Sequence, residues 1–180
     1  MRALVVYESM FGNTRDIAEA VAVGLSLRGV DVEVTEVGDL PVPAHLDVDL
    51  LVVGAPTHTF TLSREETRTA AREHAEDLVS TGRLMRDWLA ELPADLPLPV
   101  AAFDTHADRR LPGGASKALR RRLRRLGYRL VLPAESFLVG DMTGPLLEGE
   151  TERARGWGAR LASAIATPAS SGEPTADAGH

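Results

Sequence analysis

Apolar residues follow two rhythms along this chain. Ala3-Leu4-Val5-Val6 and Asp49-Leu50-Leu51-Val52-Val53-Gly54 contain short continuous apolar runs, the pattern of strands covered on both faces in a parallel sheet. Val30, Val32 and Val34 instead alternate with Asp31, Glu33 and Thr35, which predicts a strand with one wet face at a sheet edge. Between these strands Ile17, Val21, Gly24 and Leu25 recur at helical spacing, and Gly29 supplies a stop.

The second half repeats the alternation. Leu98-Pro99-Val100-Ala101-Ala102-Phe103 predicts strand four, entered through prolines, with a loop from Asp104 to Gly114 after it. Ser116 to Leu126 predicts a helix stopped by Gly127. Tyr128 to Val139 predicts strand five, with Pro133 inside it pointing to an edge or a bulge. Gly140 to Pro145 is a turn, and Ala154, Trp157, Leu161 and Ile165 mark the last helix. The connection after strand three is unusual. Ser63 and Glu66 have capping-box spacing for a helix from about Arg64, with a thin apolar side of Ala70, Ala71, Ala75, Leu78 and Val79. Gly82 interrupts, and Leu84, Met85, Trp88, Leu89 and Leu92 predict a second helix over 83–92. Two helices in one crossover are more than a parallel connection needs.

Five short strands alternating with helices predict an α/β fold, a doubly wound five-stranded parallel sheet in the order 2-1-3-4-5. The folded domain is expected to span 1–166, and the Ala, Ser, Pro, Gly and Thr of 167–180 to form a disordered C-terminal tail. In such a sheet ligands bind at the carboxyl ends of the strands where the winding reverses, so the loops after strands one, three and four converge.

Composition narrows the chemistry. With no cysteine, thiolate nucleophiles, disulfides and cysteine-ligated metals are excluded. Twenty Lys plus Arg against 26 Asp plus Glu, a formal charge of -6, argues against a nucleic-acid partner. No apolar run approaches membrane-spanning length and no signal segment opens the chain, so no membrane partner and a cytoplasmic location are expected. Arg120, Arg121, Arg122, Arg124, Arg125 and Arg129 form one local basic cluster. Its simplest reading is a solvated helix face; as a docking patch it would suit an acidic protein or a phosphorylated cofactor better than a duplex.

The chemistry-bearing stretch follows strand one: Tyr7-Glu8-Ser9-Met10-Phe11-Gly12-Asn13-Thr14. A strand-to-helix turn presents unpaired amides and the positive end of the helix dipole, so a phosphate fits there without a lysine. Gly12 lets the backbone approach, and Ser9, Asn13 and Thr14 add short polar side chains. An ordinary capped turn is the alternative. No Gly-x-Gly-x-x-Gly or Gly-Lys-Ser/Thr pattern is present, against a dinucleotide fold and a P-loop.

Ser9-Met10-Phe11-Gly12-Asn13-Thr14 resembles the phosphate loop of the flavodoxin family, which holds FMN, although members often carry hydroxyls where this chain has Met10 and Phe11. The resemblance implies a second flavin loop at Pro56-Thr57-His58-Thr59-Phe60, with His58 at the place of the ring-packing aromatic and Phe60 as the other candidate to stack. It implies a third at Asp104-Thr105-His106, where backbone NH groups and the Thr105 hydroxyl would meet the ring's pyrimidine edge. The stacking tyrosine usual in that loop is missing, and His106 is the residue placed to cover that face.

By the same resemblance the protein would carry electrons through a non-covalent FMN, with a redox partner protein or a small-molecule electron acceptor as its partner. Alternatives are an FMN-dependent NAD(P)H/quinone-type reductase, which shares these residues, and a flavin-less binding module on the same fold. Thr59 stands where electron shuttles often have a glycine, which implies a leaning to two-electron transfer. A metal site of His58, His106 and Asp104 lacks ligand spacing. A receiver-type signalling domain lacks its acidic cluster, since strands one and three end in Tyr7-Glu8 and Gly54-Ala55.

Overall fold

The computed structural model describes residues 1–41, 46–57, 62–63, 69, 78–107, 114–141 and 143–166. His58, Thr59, Phe60, most of the helix expected from Arg64, and the tail at 167–180 lie outside the described residues.

Among the described residues the elements run β1 (Arg2–Tyr7), α1 (Asn13–Ser26), β2 (Asp31–Glu36), β3 (Leu50–Pro56), α2 (Met85–Ala90), β4 (Pro99–Ala107), α3 (Ala115–Arg125), β5 (Arg129–Leu130), β6 (Glu135–Val139) and α4 (Glu150–Ala166). All strand pairings between them are parallel, in the order β2-β1-β3-β4-β5, with β6 beside the later part of β4. β5 and β6 are thus two lengths of one edge position, broken over Val131–Ala134 where Pro133 cannot donate to the ladder. Among the described residues two helices cover each face.

Alternation along the strands sorts the core. Ala3, Val5 and Tyr7 pack with α1 and α4, while Leu4 and Val6 pack on the opposite face with α2 and α3. β3 is buried from Leu50 through Ala55, as its continuous apolar run requires. On the α1–α4 face Phe103, Phe137 and Trp157 meet edge to face with ring centroids 6.0 to 6.2 Å apart, the arrangement the aromatic quadrupole favours. α1 and α4 cross very closely: a Cβ added to Gly24 would lie 2.0 Å from the Arg155 carbonyl oxygen, and one on Gly158 would lie 2.2 Å from that of Val21.

Three expectations need correction. Asp104, Thr105 and His106 are not in a loop: they continue β4, in register with Ala55 and Pro56 on one side and with Ser136, Phe137 and Leu138 on the other. Their polarity suggested a loop, but neighbours on both sides extend the ladder through them. Leu78 and Val79 are not helical; the Val79 and Ser80 amides donate to the Met10 and Ser9 carbonyls at 3.0 and 2.8 Å. The second crossover helix is shorter than 83–92, starting at Met85, whose amide donates to Glu8 Oε2 at 3.0 Å, and ending at Ala90. No helix among the described residues is long and apolar enough to cross a membrane.

A charged cluster ties α4 to β6. Arg153 pairs with Glu150 at 2.6 Å and Glu135 at 2.5 Å, and its guanidinium lies 4.4 Å from the Phe137 ring centroid. Burial pushes the Glu150 carboxyl up, but the Arg153 hydrogen bond, the Leu138 amide and the charges of Arg153 and His106 together hold it below the ordinary glutamate value. A carboxyl lowered on folding contributes stability at pH values above its unfolded pKa, and that contribution disappears as pH falls through the folded value. Glu150→Gln is therefore expected to cost about 1 to 2 kcal/mol at neutral pH. In urea unfolding across pH, parent and variant should converge on acidification; a pH-independent gap would contradict the assignment.

Candidate functional site

The carboxyl ends of β1, β3 and β4 bring the three candidate segments together. Thr14 Oγ1 and Thr105 Oγ1 are 2.7 Å apart, the Thr57 amide donates to the Thr105 carbonyl at 2.9 Å, and Thr57 Oγ1 donates to Asp104 Oδ2 at 2.7 Å. The convergence expected from the winding of the sheet is therefore direct contact.

The first segment turns through Gly12, which caps α1 at φ 91°, a left-handed conformation that suits glycine. Its carbonyl starts the helical ladder by accepting from the Asp16 amide at 3.0 Å. Ser9 is buried and its Oγ accepts from the Gly12 and Arg15 amides at 3.1 and 3.3 Å. Among the described residues no acceptor meets the amides of Asn13 and Thr14. These are the open donors of a helix start, and the dipole adds to them. A Cβ at Gly12 would be 3.3 Å from the Arg15 guanidinium, so that cation stands beside the turn.

The polar side chains of this turn are already engaged. Besides Ser9, the Thr14 hydroxyl meets Thr105, and Asn13 Nδ2 donates to the Thr143 carbonyl at 3.1 Å. The Met10 side chain is buried, and Phe11 is half-buried. What the turn can offer an anion is consequently main-chain NH, supplemented by the Ser9 hydroxyl proton, since Ser9 Oγ acts as an acceptor in both of its bonds.

The second segment is described through Thr57. Pro56 closes β3, and Thr57 Oγ1 both donates to Asp104 and accepts from the Ala115 amide at 2.7 Å. Asp104 is fully buried, and Oδ2 also accepts from the Ser116 amide at 2.9 Å. Thr57 and Asp104 thus satisfy the first amides of α3 from outside the helix. Gly114 fits the same space, since a Cβ there would stand 2.8 Å from Asp104 Oδ2.

Thr105 is buried against Thr14, while His106 is half-buried with Nδ1 meeting no partner among the described residues. Asp104 and Thr105 lie in a ladder with neighbours on both sides and their side chains are buried and bonded, so of the three only the His106 side chain offers an unsatisfied atom at the half-exposed end of β4. Among the described residues no group of three or more His, Asp or Glu could hold a metal ion.

Two participants were not among the sequence candidates. Thr143 holds Asn13 from the turn after β6, and a Cβ on neighbouring Gly144 would lie 2.5 Å from Asn13 Oδ1. Ser80 accepts from the Ser9 amide at 2.8 Å and donates to Glu36 at 2.5 Å. The first had a signal: every turn after a parallel strand reaches this edge. The second had none, because 71 positions separate Ser80 from Ser9. Beside this contact Tyr7, Arg15, Glu36 and Gly38 line a recess of about 350 Å³. Burial and then the Glu36 carboxylate push the Tyr7 hydroxyl above the ordinary tyrosine value.

A doubly wound parallel sheet with open amides at the helix start after its first strand defines the class of protein. A family model described as flavodoxin matches residues 5–157, and the chain belongs to the flavodoxin family. Among solved structures, a flavodoxin from Streptococcus pneumonia TIGR4 is 20% identical, with 91% of this chain and 99% of that chain covered and a TM-score of 0.66. Oxidised flavodoxin 2 from Bacillus cereus is 22% identical over 92% of this chain and 98% of that one, TM-score 0.63. The flavodiiron protein from Giardia intestinalis is 17% identical over 92% of this chain but 36% of its own, TM-score 0.58. At these identities the likeness is one of fold. No curated protein matches the chain.

Proposed function

We propose that the protein binds FMN without a covalent link at the carboxyl edge of β1, β3 and β4 and carries electrons through it. The observation that carries this reading is the pair of open amides, Asn13 and Thr14, at the start of α1, beside the Thr14–Thr105 contact that joins the first and third segments. The fit is to a phosphate rather than to a cation, because NH donors and a helix N-terminus converge there. The likeness in fold to solved flavodoxins supports the same reading.

In this reading the main chain of Met10 to Thr14 holds the phosphate, and the Thr57 to Phe60 segment and His106 border the ring. His106 Nδ1, unsatisfied among the described residues, is a polar group left for the ring's edge. The flavin supplies the redox chemistry; the chain orients it, shields it and sets the electrostatics around it. Thr57 and Asp104 act one step back. They hold the start of α3 and, through Thr57, the base of the second loop. Electrons would pass to a redox partner protein or a small-molecule acceptor.

Flavin fluorescence tests this directly. Titration with FMN and with riboflavin, which lacks the phosphate, is expected to show FMN bound at least about tenfold more tightly, the equivalent of one charge-assisted hydrogen bond. Equal affinities would refute the phosphate cradle, and no binding of either would leave the flavin-less module. For the loaded protein, steady NAD(P)H oxidation with a quinone would mark a reductase rather than a carrier.

A further inference from the structure

A second candidate surface lies on the α2–α3 face, opposite the aromatic cluster. Leu62, Leu89 and Ala118 form the floor of a groove of about 290 Å³, and Arg86, Arg121 and Arg125 stand along its walls with Arg122 half-buried beside them. The groove runs between the two helices, and its arginines on α3 lie in the carboxyl half of that helix, away from the helix start that Thr57 and Asp104 hold.

Among the described residues its lining carries four arginines and no carboxylate. Arg2, Arg15, Arg83, Arg153, Arg155 and Arg160 each have a carboxylate within 4 Å, whereas among the described residues Arg28, Arg120, Arg124 and Arg129, outside the groove, have none. Among the described residues Arg121, Arg122 and Arg125 have none, in a chain whose formal net charge is -6. Arg121 and Arg125 are also an i,i+4 pair of like charges, an arrangement that destabilises a helix by a few tenths of a kcal/mol. The dipole at the carboxyl end of α3 favours cations there, but it accounts neither for Arg86 on the facing wall nor for the apolar floor.

We infer that this groove docks an acidic segment of a partner protein, one carrying an apolar side chain among its carboxylates. The carboxylates match guanidiniums on both walls, and the apolar side chain matches the floor of Leu62, Leu89 and Ala118. A compact anion fits poorly. The groove borders the carboxyl half of α3, so it offers no helix-start amides, and its cations are spread along a wall rather than converging on a point. The groove is built from α2, α3 and Leu62 and does not require flavin to form.

The test is fluorescence anisotropy on the full chain with a labelled synthetic peptide of Asp and Glu bearing one central Phe. Saturable binding is expected, weakened about tenfold or more in Arg121→Glu/Arg125→Glu and to a smaller degree in Arg121→Gln/Arg125→Gln. Arg120→Glu/Arg124→Glu changes the same charge on residues outside the groove lining and should weaken binding less than about threefold. Replacing the Phe by Glu should also weaken it. Equal losses in the two charge-reversal pairs, indifference to the Phe, displacement by millimolar inorganic phosphate at constant ionic strength, or no saturable binding would each overturn the inference. Because flavin titration is read separately on the same samples, failure here is distinguishable from failure of the FMN reading.

Discussion

Gly24→Ala is expected to destabilise the protein by about 2 kcal/mol or more, although alanine is the better helix former by about 1 kcal/mol. The added methyl would sit 2.0 Å from the Arg155 carbonyl oxygen, 2.9 Å from its carbon and 3.0 Å from the Ala159 nitrogen. Those are backbone atoms of α4 and cannot swing aside. Relief requires the two helices to separate, which loosens Ile17, Val21, Trp157 and Leu161 between them and the sheet. For a chain of this size the midpoint of thermal unfolding should fall by about 4 to 8 °C. Gly156 is the internal control. It lies in α4 with nothing within 4 Å of an added Cβ, so Gly156→Ala should raise stability by about 0.5 to 1 kcal/mol. Opposite signs are the expectation, and a Gly24 variant as stable as the parent would contradict the described crossing.

Asn13→Asp is expected to cost FMN affinity about 10- to 100-fold while leaving riboflavin affinity within about twofold. Asn13 begins α1, and its amide is one of the two open donors. With FMN bound as proposed, a carboxylate there would stand beside a dianion, and it also loses the Nδ2 donor that holds the Thr143 carbonyl. Helix stability should not suffer, because an acidic residue in the first turn complements the dipole. Phosphate binding and folding are thereby separated. Raising the salt concentration should recover part of the loss by screening. FMN affinity equal to the parent's would show that the phosphate is held elsewhere.

Much of the architecture was legible because burial leaves a local trace. Continuous apolar runs at Leu4–Val6 and Leu50–Val53 identified strands covered on both faces, and the alternation at Val30–Thr35 identified an edge. Pro133 pointed to an edge or a bulge in a single strand five, and the edge is there, but the strand is parted into β5 and β6 around it. Polar strand residues left no such trace. Asp104-Thr105-His106 has the composition of a loop, and its place in β4 comes from strands on either side. Likewise the serines at 9 and 80 look alike as letters, and their opposed roles as acceptors for different amides come from where the crossover returns.

The order of elements and the helix start able to cradle an anion follow from the amino-acid sequence by itself, since periodicity and turn chemistry act over a few residues. Tertiary structure decided which polar groups remain open to a ligand. Thr57 and Asp104 are 47 positions apart yet share a hydrogen bond and the first amides of α3, while Thr14 is committed to Thr105. A buried polar group must find a partner, and which partner lies within reach is a property of the packed sheet.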